Sequence, residues 1–529
     1  MDSNTVAMLQ QNVMTSFDSL VEMVMSEQAG SCSADEMERR LLQEVLKLGA
    51  GLMQLHLDYR SQQQQREEIV NAAGERLPYY GERERCYYSI FGQLRCRRPY
   101  FYKQEQGSES PLDAALGLGA GRYSDLLREF HEELSVAVPY GNARKLLKRL
   151  LGIGLSSRVL QGFVISDGAD VEAYYEQKSA PPVEEEASIL VAQADGKGVP
   201  IVRPSKTAEK VRLSRGEARS RKKTAMVTTV YTIQEAPRTA EQVVQSLHRR
   251  QEEQAPDAPQ PPKREGPQHK QLWATLAGKD AALTRLAAQV AKRDGAHIQH
   301  RVALCDGDRS LQSKLLAALP GFTLVLDFIH AYEYLWKPAR QLFGEGSEEA
   351  LEWVTAQTRL LLSGQLPALI DLLHQTAESD GCKPLCRQQC LKVAGYFEKN
   401  QQYMDYASYL QRGWPIASGV IEAACRHIVK DRLELSGMRW SETGAEQLLH
   451  LRAVAENDHW DDYHLFRKQQ RQQRLYGCDW PVNVLHWNFD LVPIQVQKCS
   501  SSQEKTMTID NVEPAPVANR NYQSLPLAA

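Results

Sequence analysis

Three short apolar runs in the middle of the chain each deliver an aspartate. Ser188–Ala194 runs into Asp195, His300–Cys305 into Asp306 and Phe322–Leu326 into Asp327, and the first two aspartates are followed at once by Gly. Apolar runs this short, bounded by turn residues and set between helical patterns, read as strands. Gly198–Arg203 and Thr224–Ile233, the second with β-branched alternation, read as two more. Leu283, Leu286, Ala287 and Val290 mark a helix before the fourth strand, and Leu311–Leu319 marks another before the fifth. The predicted order is three strands, helix, strand, helix, strand, then a later helix. Such a chain is α/β (α+β), with antiparallel hairpins on one side of a sheet and parallel strands on the other.

A carboxylate at a strand end before Gly lies at the carboxyl edge of a sheet, where ligands bind. Two such strands side by side hold Asp195 and Asp306 close together, and close carboxylates repel unless they share a proton or bind a cation. A hard divalent metal is their natural partner. Asp308 competes with Asp306, but the strand end favours Asp306. A third carboxylate has to come from the later helix, about Val420 to Glu434. There Val420, Ile421, Ala424, Cys425, Ile428 and Val429 form a buried stripe, while Glu422, Arg426 and Lys430 share another face. Glu422 is either a metal ligand or a surface ion-pair partner of Arg426.

A chain of 529 residues has room for about three to four modules. The first 75 residues read as helix, carried by Leu42, Val45, Leu46, Leu48, Leu52 and Leu55. Tyr79–Tyr102 reads as a β-hairpin. From Tyr123 to about Tyr175 the pattern is helical again, with an apolar stripe of Ala143, Leu146, Leu147 and Leu150. It is followed by Gly152 and by Ser156 as an N-cap. Helix, short Gly-containing turn, helix is the helix-turn-helix pattern, although an ordinary helical hairpin gives the same signal. Arg144, Lys145, Lys148 and Arg149 make its first helix basic. Lys178–Glu186 is a linker, Gln251–Lys270 an exposed loop with five prolines, Tyr332–Tyr409 helical, and the stretch from about Ser500 a disordered tail. The modules expected are 1–75, 76–180, 187–331, 332–414 and 415–475, followed by a tail, 476–529.

The net charge of −3 gives no reason to expect a nucleic-acid partner, but its distribution does. Between Arg203 and Lys223 nine basic residues face two acidic ones, ending in Arg221, Lys222 and Lys223. Such a run either tracks a phosphate backbone or is a solvated loop. No apolar stretch approaches the roughly 20 residues of a membrane span. The N-terminus lacks a basic segment followed by an apolar one, and ten scattered cysteines fit reduced thiols. These features point to a cytoplasmic protein with no membrane partner.

The order Asp195, Asp306, then Asp327-Phe-Ile-His330 with Tyr334-Leu-Trp336, then Gly419-Val-Ile-Glu422 and Gly437-Met-Arg-Trp440 resembles bacterial insertion-sequence DDE transposases. More specifically it resembles the Kra-type group, related to the Mutator-like superfamily, over roughly Val70 to Arg467. The resemblance implies a ribonuclease-H-like core interrupted by a helical insertion, 332–414, and a DNA-binding N-terminal region. It implies that Asp195, Asp306 and Glu422 hold two Mg²⁺ ions, with Mn²⁺ as a substitute, and that Asp327 and His330 form an Asp-x-x-His signature. The partners implied are terminal inverted repeats and target DNA, bound by a homodimer or higher oligomer and placing the chain on the nucleoid when active. Lys430, Arg432 and Arg439, with Arg426, flank Glu422 as phosphate contacts, and Trp440 either stacks on an unpaired base or sits in the core. The Cys-x-x-Cys pair common in this group is missing: Cys86 and Cys96 are spaced too widely, and no structural zinc is expected. Cys382, Cys386 and Cys390 lie on one helix face and read as packing or an exposed stripe. Two alternatives remain, a catalytically silent DNA-binding descendant and another nuclease on the same fold.

Overall fold

The structure, a computed structural model, describes residues 3–71, 73–202, 221–248 and 265–479. Most of the basic run after Arg203, most of the Pro-rich loop and the C-terminal tail lie outside the described residues. The chain is mixed α and β, with two sheets among the described residues. Among the described residues, no helix is long and apolar enough to cross a membrane.

The N-terminal region opens with α1 (Ser3–Met25) and α2 (Ala34–Gln62). The first sheet follows: β1 (Glu68–Val70), β2 (Arg76–Ser89), β3 (Gly92–Lys103) and β4 (Gly107–Glu109), paired antiparallel in that order. The expected hairpin is therefore longer than its aromatic signal. It closes through Ser89 opposite Gly92, whose φ of 113° suits a residue without Cβ. Cys86 pairs with Arg95 and Cys96 with Arg85, which turns the two cysteines to opposite faces. Three helices come next, α3 (Asp125–Ala137), α4 (Tyr140–Leu151) and α5 (Ser157–Asp167). α4 ends on Gly152 in the left-handed region, and the Ser156 hydroxyl accepts from the Val159 amide to start α5. Of the expected α4 stripe, Ala143 and Leu147 are buried while Leu146 and Leu150 are exposed. A short helix, α6 (Val171–Gln177), leads to the linker.

The second sheet has the order β7-β6-β5-β8-β9. β5 (Ile189–Ile201), β6 (Arg221–Ile233) and β7 (Gln268–Thr275) run antiparallel, while β8 (His300–Cys305) and β9 (Thr323–Leu326) pair parallel beside β5. Two expected strands, Ser188–Ala194 and Gly198–Arg203, are one. β5 pairs with β6 without a break from Ile189 to Ile201, so its middle carries Asp195 as a ladder residue rather than a terminus. β7 begins inside the segment expected to be loop. It compensates for the merger, so three strands still precede the first crossover helix.

α7 (Lys279–Arg293) and α8 (Arg309–Ala318) cover one face, packing Leu283, Leu286, Leu311 and Leu315 on Leu190, Ala192 and Ala303. The opposite face, with Val191, Val302 and Leu304, packs against the helices after β9. These include α9 (Phe328–Phe343), α10 (Glu348–Leu362), α11 (Leu366–Glu378) and α12 (Pro384–Asn400). Cys386 and Cys390 are buried with Ala377, their sulfurs 4.0 Å apart, so the cysteine stripe packs α12 on α11. The chain then returns through α13 (Gly419–Ala424), a π-helical segment Cys425–Lys430, α14 (Glu442–Glu456) and α15 (Trp460–Tyr476).

α15 is fastened to the α3–α5 helices by buried charge. Arg467 Nη1 lies 2.6 Å from Asp167, to which Arg128 Nε donates at 2.9 Å. Burial pushes the Asp167 carboxyl up, but Arg467, a hydrogen bond with Glu132, and Arg128 together outweigh it and hold it below its ordinary value. Burial and the Asp167 charge keep Glu132 protonated well above the usual carboxylate range. Removing one partner of such a cluster strands the rest. Arg467→Met is expected to lower stability by about 3–5 kcal/mol, read by urea unfolding. A second tie is His459, enclosed by Tyr174 and Tyr175. Burial, with Lys178 adding to it, pulls its pKa down to about 4. The unfolded chain takes up this proton near pH 6.5, so stability falls as pH drops from about 6.5 to about 4. The difference in melting temperature between wild type and His459→Gln is expected to change over that window and stay constant above it.

Candidate active site

Three strands present aspartates at one edge. β8 stops at Cys305, so Asp306 follows directly, and its parallel pairing with β5 reaches Gln193–Leu304. Asp195, two residues beyond Gln193, therefore lies beside Asp306, where β5 continues with β6 alone. The Gly196 amide donates to Asp195 Oδ1 at 2.6 Å and the Cys425 thiol to Oδ2 at 3.4 Å. The Asp308 amide donates to Asp306 at 3.0 Å. Burial, with the Asp195 charge adding to it, holds the Asp306 carboxyl above its ordinary range. Asp308 is differently engaged. It caps α8 through the Ser310 and Leu311 amides and pairs with Lys279 at 2.5 Å, and that pairing lowers its pKa.

Asp327 ends β9 and is fully buried. Its Oδ1 accepts from the Ser418 amide at 2.9 Å and from Ile329; its Oδ2 accepts from the His330 amide at 3.1 Å and from His330 Nδ1 at 2.6 Å. Four N–H groups saturate this carboxylate, which makes it a positioning residue. The hydrogen bond that His330 Nδ1 donates to Asp327 raises the His330 pKa to about 9, keeping the ring an imidazolium at neutral pH. The Ser418 bond draws the start of α13 to the strand edge. Gln193, buried in β5, completes the attachment: its Oε1 accepts from the Ile421 amide at 3.0 Å and its Nε2 donates to the Tyr231 hydroxyl at 3.1 Å.

Glu422, exposed on α13, accepts from the Ser418 hydroxyl at 3.1 Å. Arg426 lies 3.6 Å from Asp431, so the surface pair expected for Glu422 belongs to another carboxylate. Among the described residues, the group whose ligand atoms all lie within 4.8 Å of one another is Asp327, His330 and Glu422. Asp195 and Asp306 stand outside that group, with Asp195 turned to Cys425 and Gly196. The donor set of the edge, three carboxylates not committed to a cation, is oxygen-rich and suits a hard divalent ion. Tyr396 of α12, stacked on Tyr334, presses on the backbone at Gly307: a Cβ there would lie 2.5 Å from its ring, which explains the Gly after Asp306.

The expected DNA contacts divide. Arg144, Lys145, Lys148 and Arg149 are all exposed on α4. α5, the second helix of the helix-turn-helix pattern, rests on α14, with Gln161 against Gly444. Arg221 opens β6, while Lys222 pairs with Glu434 and Lys223 with Glu442 at 2.8 Å. Lys430 and Arg439 are exposed. Arg432 is not available to phosphate. It is fully buried, donates to the Ser135 carbonyl at 2.9 Å and lies over the rings of Tyr140 and Trp440. Trp440 is core as well. Its indole N–H donates to the Leu433 carbonyl at 2.9 Å, and its backbone bonds Pro200 and Val202 alongside β5, which leaves no face for a base.

Gln193, Ser418 and Cys425 escaped the sequence reading. The one signal was a lone amide inside the apolar run SILVAQAD. Comparison with known proteins finds no match, either to a family model or to a curated protein. Gln193→Leu keeps the volume but leaves the Ile421 amide without its acceptor and removes the donor to the Tyr231 hydroxyl. It is expected to cost about 1–3 kcal/mol in urea unfolding.

Proposed function

We propose that this chain is a divalent-metal-dependent DDE-type transposase, cutting and joining DNA at a ribonuclease-H-like core. The observation that carries the reading is the juxtaposition of Asp195 and Asp306 on neighbouring parallel strands, with Glu422 on a helix tied to the same edge by Asp327 and Gln193. The sheet order, with three antiparallel strands and then two parallel ones, supports it. So does the helical stretch between β9 and α13, which occupies the place of the insertion before the final carboxylate.

Asp195, Asp306 and Glu422 would hold two Mg²⁺ ions, which when bound activate the attacking oxygen and stabilise the leaving one. The residues of the chain do the positioning. Asp327 fixes the start of α13 and the His330 ring, and His330 keeps a proton at Nδ1 beside Glu422. An imidazolium there is a charge-assisted donor to a phosphate oxygen. Gln193 keeps Glu422 at the height of the strand edge. The exposed basic face of α4 provides sequence-independent attraction to duplex DNA. The intact acidic edge speaks against a silent DNA-binding descendant. A nuclease without joining activity differs in its products alone.

Glu422→Gln preserves shape and removes one negative charge. With a supercoiled plasmid carrying the terminal repeats and Mg²⁺, nicking is expected to fall by several orders of magnitude. Asp195→Asn and Asp306→Asn should do the same, and the losses should not add, because each disables one unit. Binding of the same DNA in EDTA should stay near wild type. Near-wild-type nicking by Glu422→Gln overturns the triad, and cleavage without joined 3′ ends reduces the assignment to a nuclease.

A further inference from the structure

Three thiols stand in a row where α11 turns into α12. Cys386 and Cys390 are buried against Ala377 of α11, and Cys382 packs at the edge of the same cluster, partly exposed. Cys386 is the middle of the row. Its sulfur lies 4.0 Å from that of Cys390, and on its other side it meets the Cys382 thiol. Packing accounts for the two buried members, because an unreacted cysteine behaves as a small hydrophobe. It does not account for a third thiol at the partly exposed end of the row. The backbone decides which pair can join. Two residues one turn apart on a helix keep their Cβ atoms about 5–6 Å apart, whereas a disulfide needs about 3.5–4.5 Å. Cys386 and Cys390 both belong to α12, so their sulfurs touch but cannot bond unless the helix unwinds. Cys382 is placed differently. It precedes the cap residue Lys383 and lies in the turn after α11, where its amide donates to the Ser379 carbonyl at 3.0 Å. Pro384 fixes the first turn of α12, and with it the place of Cys386, while the turn is free to close the gap from the other side.

We infer that Cys382 and Cys386 form a redox-active dithiol, which a low-molecular-weight disulfide oxidises to an intramolecular disulfide, with Cys390 left as a thiol. Cys382 reacts first. It is the exposed member of the row, whereas burial raises the pKa of Cys386 and of Cys390 and keeps both as thiols. The Cys382 thiolate attacks one sulfur of the oxidant, which forms a mixed disulfide and releases one small thiol. Cys386 then gives up its proton and attacks the Cys382 sulfur, expelling the second small thiol. Contact between the two sulfurs favours this second step despite the high pKa of the attacking thiol. Two protein thiols are oxidised, one disulfide is reduced, and both protons leave on the released thiols. This dithiol is independent of the nuclease reading.

The test exposes the reduced full chain to glutathione disulfide at neutral pH, unfolds it with iodoacetamide present and cuts it with trypsin. Lys383 precedes Pro384 and resists cleavage, so Cys382 and Cys386 leave together in the fragment 360–387, while Arg387 separates Cys390 into 388–392. By mass spectrometry the first fragment is expected to be lighter by two hydrogens and free of alkyl groups, and the second to be alkylated. Dithiothreitol before alkylation should restore two alkylated cysteines to 360–387. Cys382→Ser should leave Cys386 alkylated, and Cys390→Ser should still form the disulfide; the wild type decides alone if Cys390→Ser fails to fold. Two alkylated cysteines in the oxidised wild-type fragment overturn the proposal. So does a glutathione adduct retained on Cys382, or a cross-link that joins 360–387 to 388–392.

Discussion

The buried Asp327 carboxylate is the joint on which the acidic edge of the second sheet depends. Its two oxygens take four N–H donors from three places: the start of the helix that follows it, the His330 ring, and Ser418 nearly a hundred residues later. A buried charge is tolerated only when its lone pairs are used. That requirement fixes where the returning chain must land. Burial alone would push Asp327 up, yet the imidazole and the amides hold it below its ordinary value, so it stays charged and keeps His330 charged with it. Loss of this carboxylate would release α13, the imidazolium and the Glu422 carboxylate together.

The acidic edge was legible because strand ends in apolar runs are a strong local signal. β8 falls where the run His300–Cys305 predicts, and Asp306 and Asp327 follow their strands directly. β5 was misread as two strands because Gly196 and Gly198 look like a turn. They are ladder residues, and the small side chains let Thr224 and Lys222 of β6 approach. β7 was missed because its first residues belong to a charged, proline-rich stretch, and pairing with β6, not local propensity, makes it a strand.

Of the two readings left open for Glu422, the pair with Arg426 does not form, for a different reason. Periodicity assumes 3.6 residues per turn, and the π-helical segment Cys425–Lys430 breaks that count just after Glu422. Arg426 is carried to Asp431 instead of to Glu422. The positive charges fared worst. Arg432 reads as a surface residue in any count of basic groups, yet it is fully buried between two aromatic rings with a backbone carbonyl to receive its N–H. A cation near a candidate site is a phosphate contact only when its side chain is free. Here the fold spends Arg432 on joining α3 to the segment that follows α13.

The separation of the three carboxylates along the chain has a consequence for synthesis. Asp195 and Asp306 emerge from the ribosome well before Glu422, and the helices between β9 and α13 must be made in the interval. Until then Asp327 lacks the Ser418 amide and Gln193 lacks the Ile421 amide, so the strand edge exists without its third wall. An elongating or prematurely terminated chain thus carries Asp195 and Asp306 without the helix that brings Glu422 to the same edge. Translation past α13 is itself the step that closes this edge.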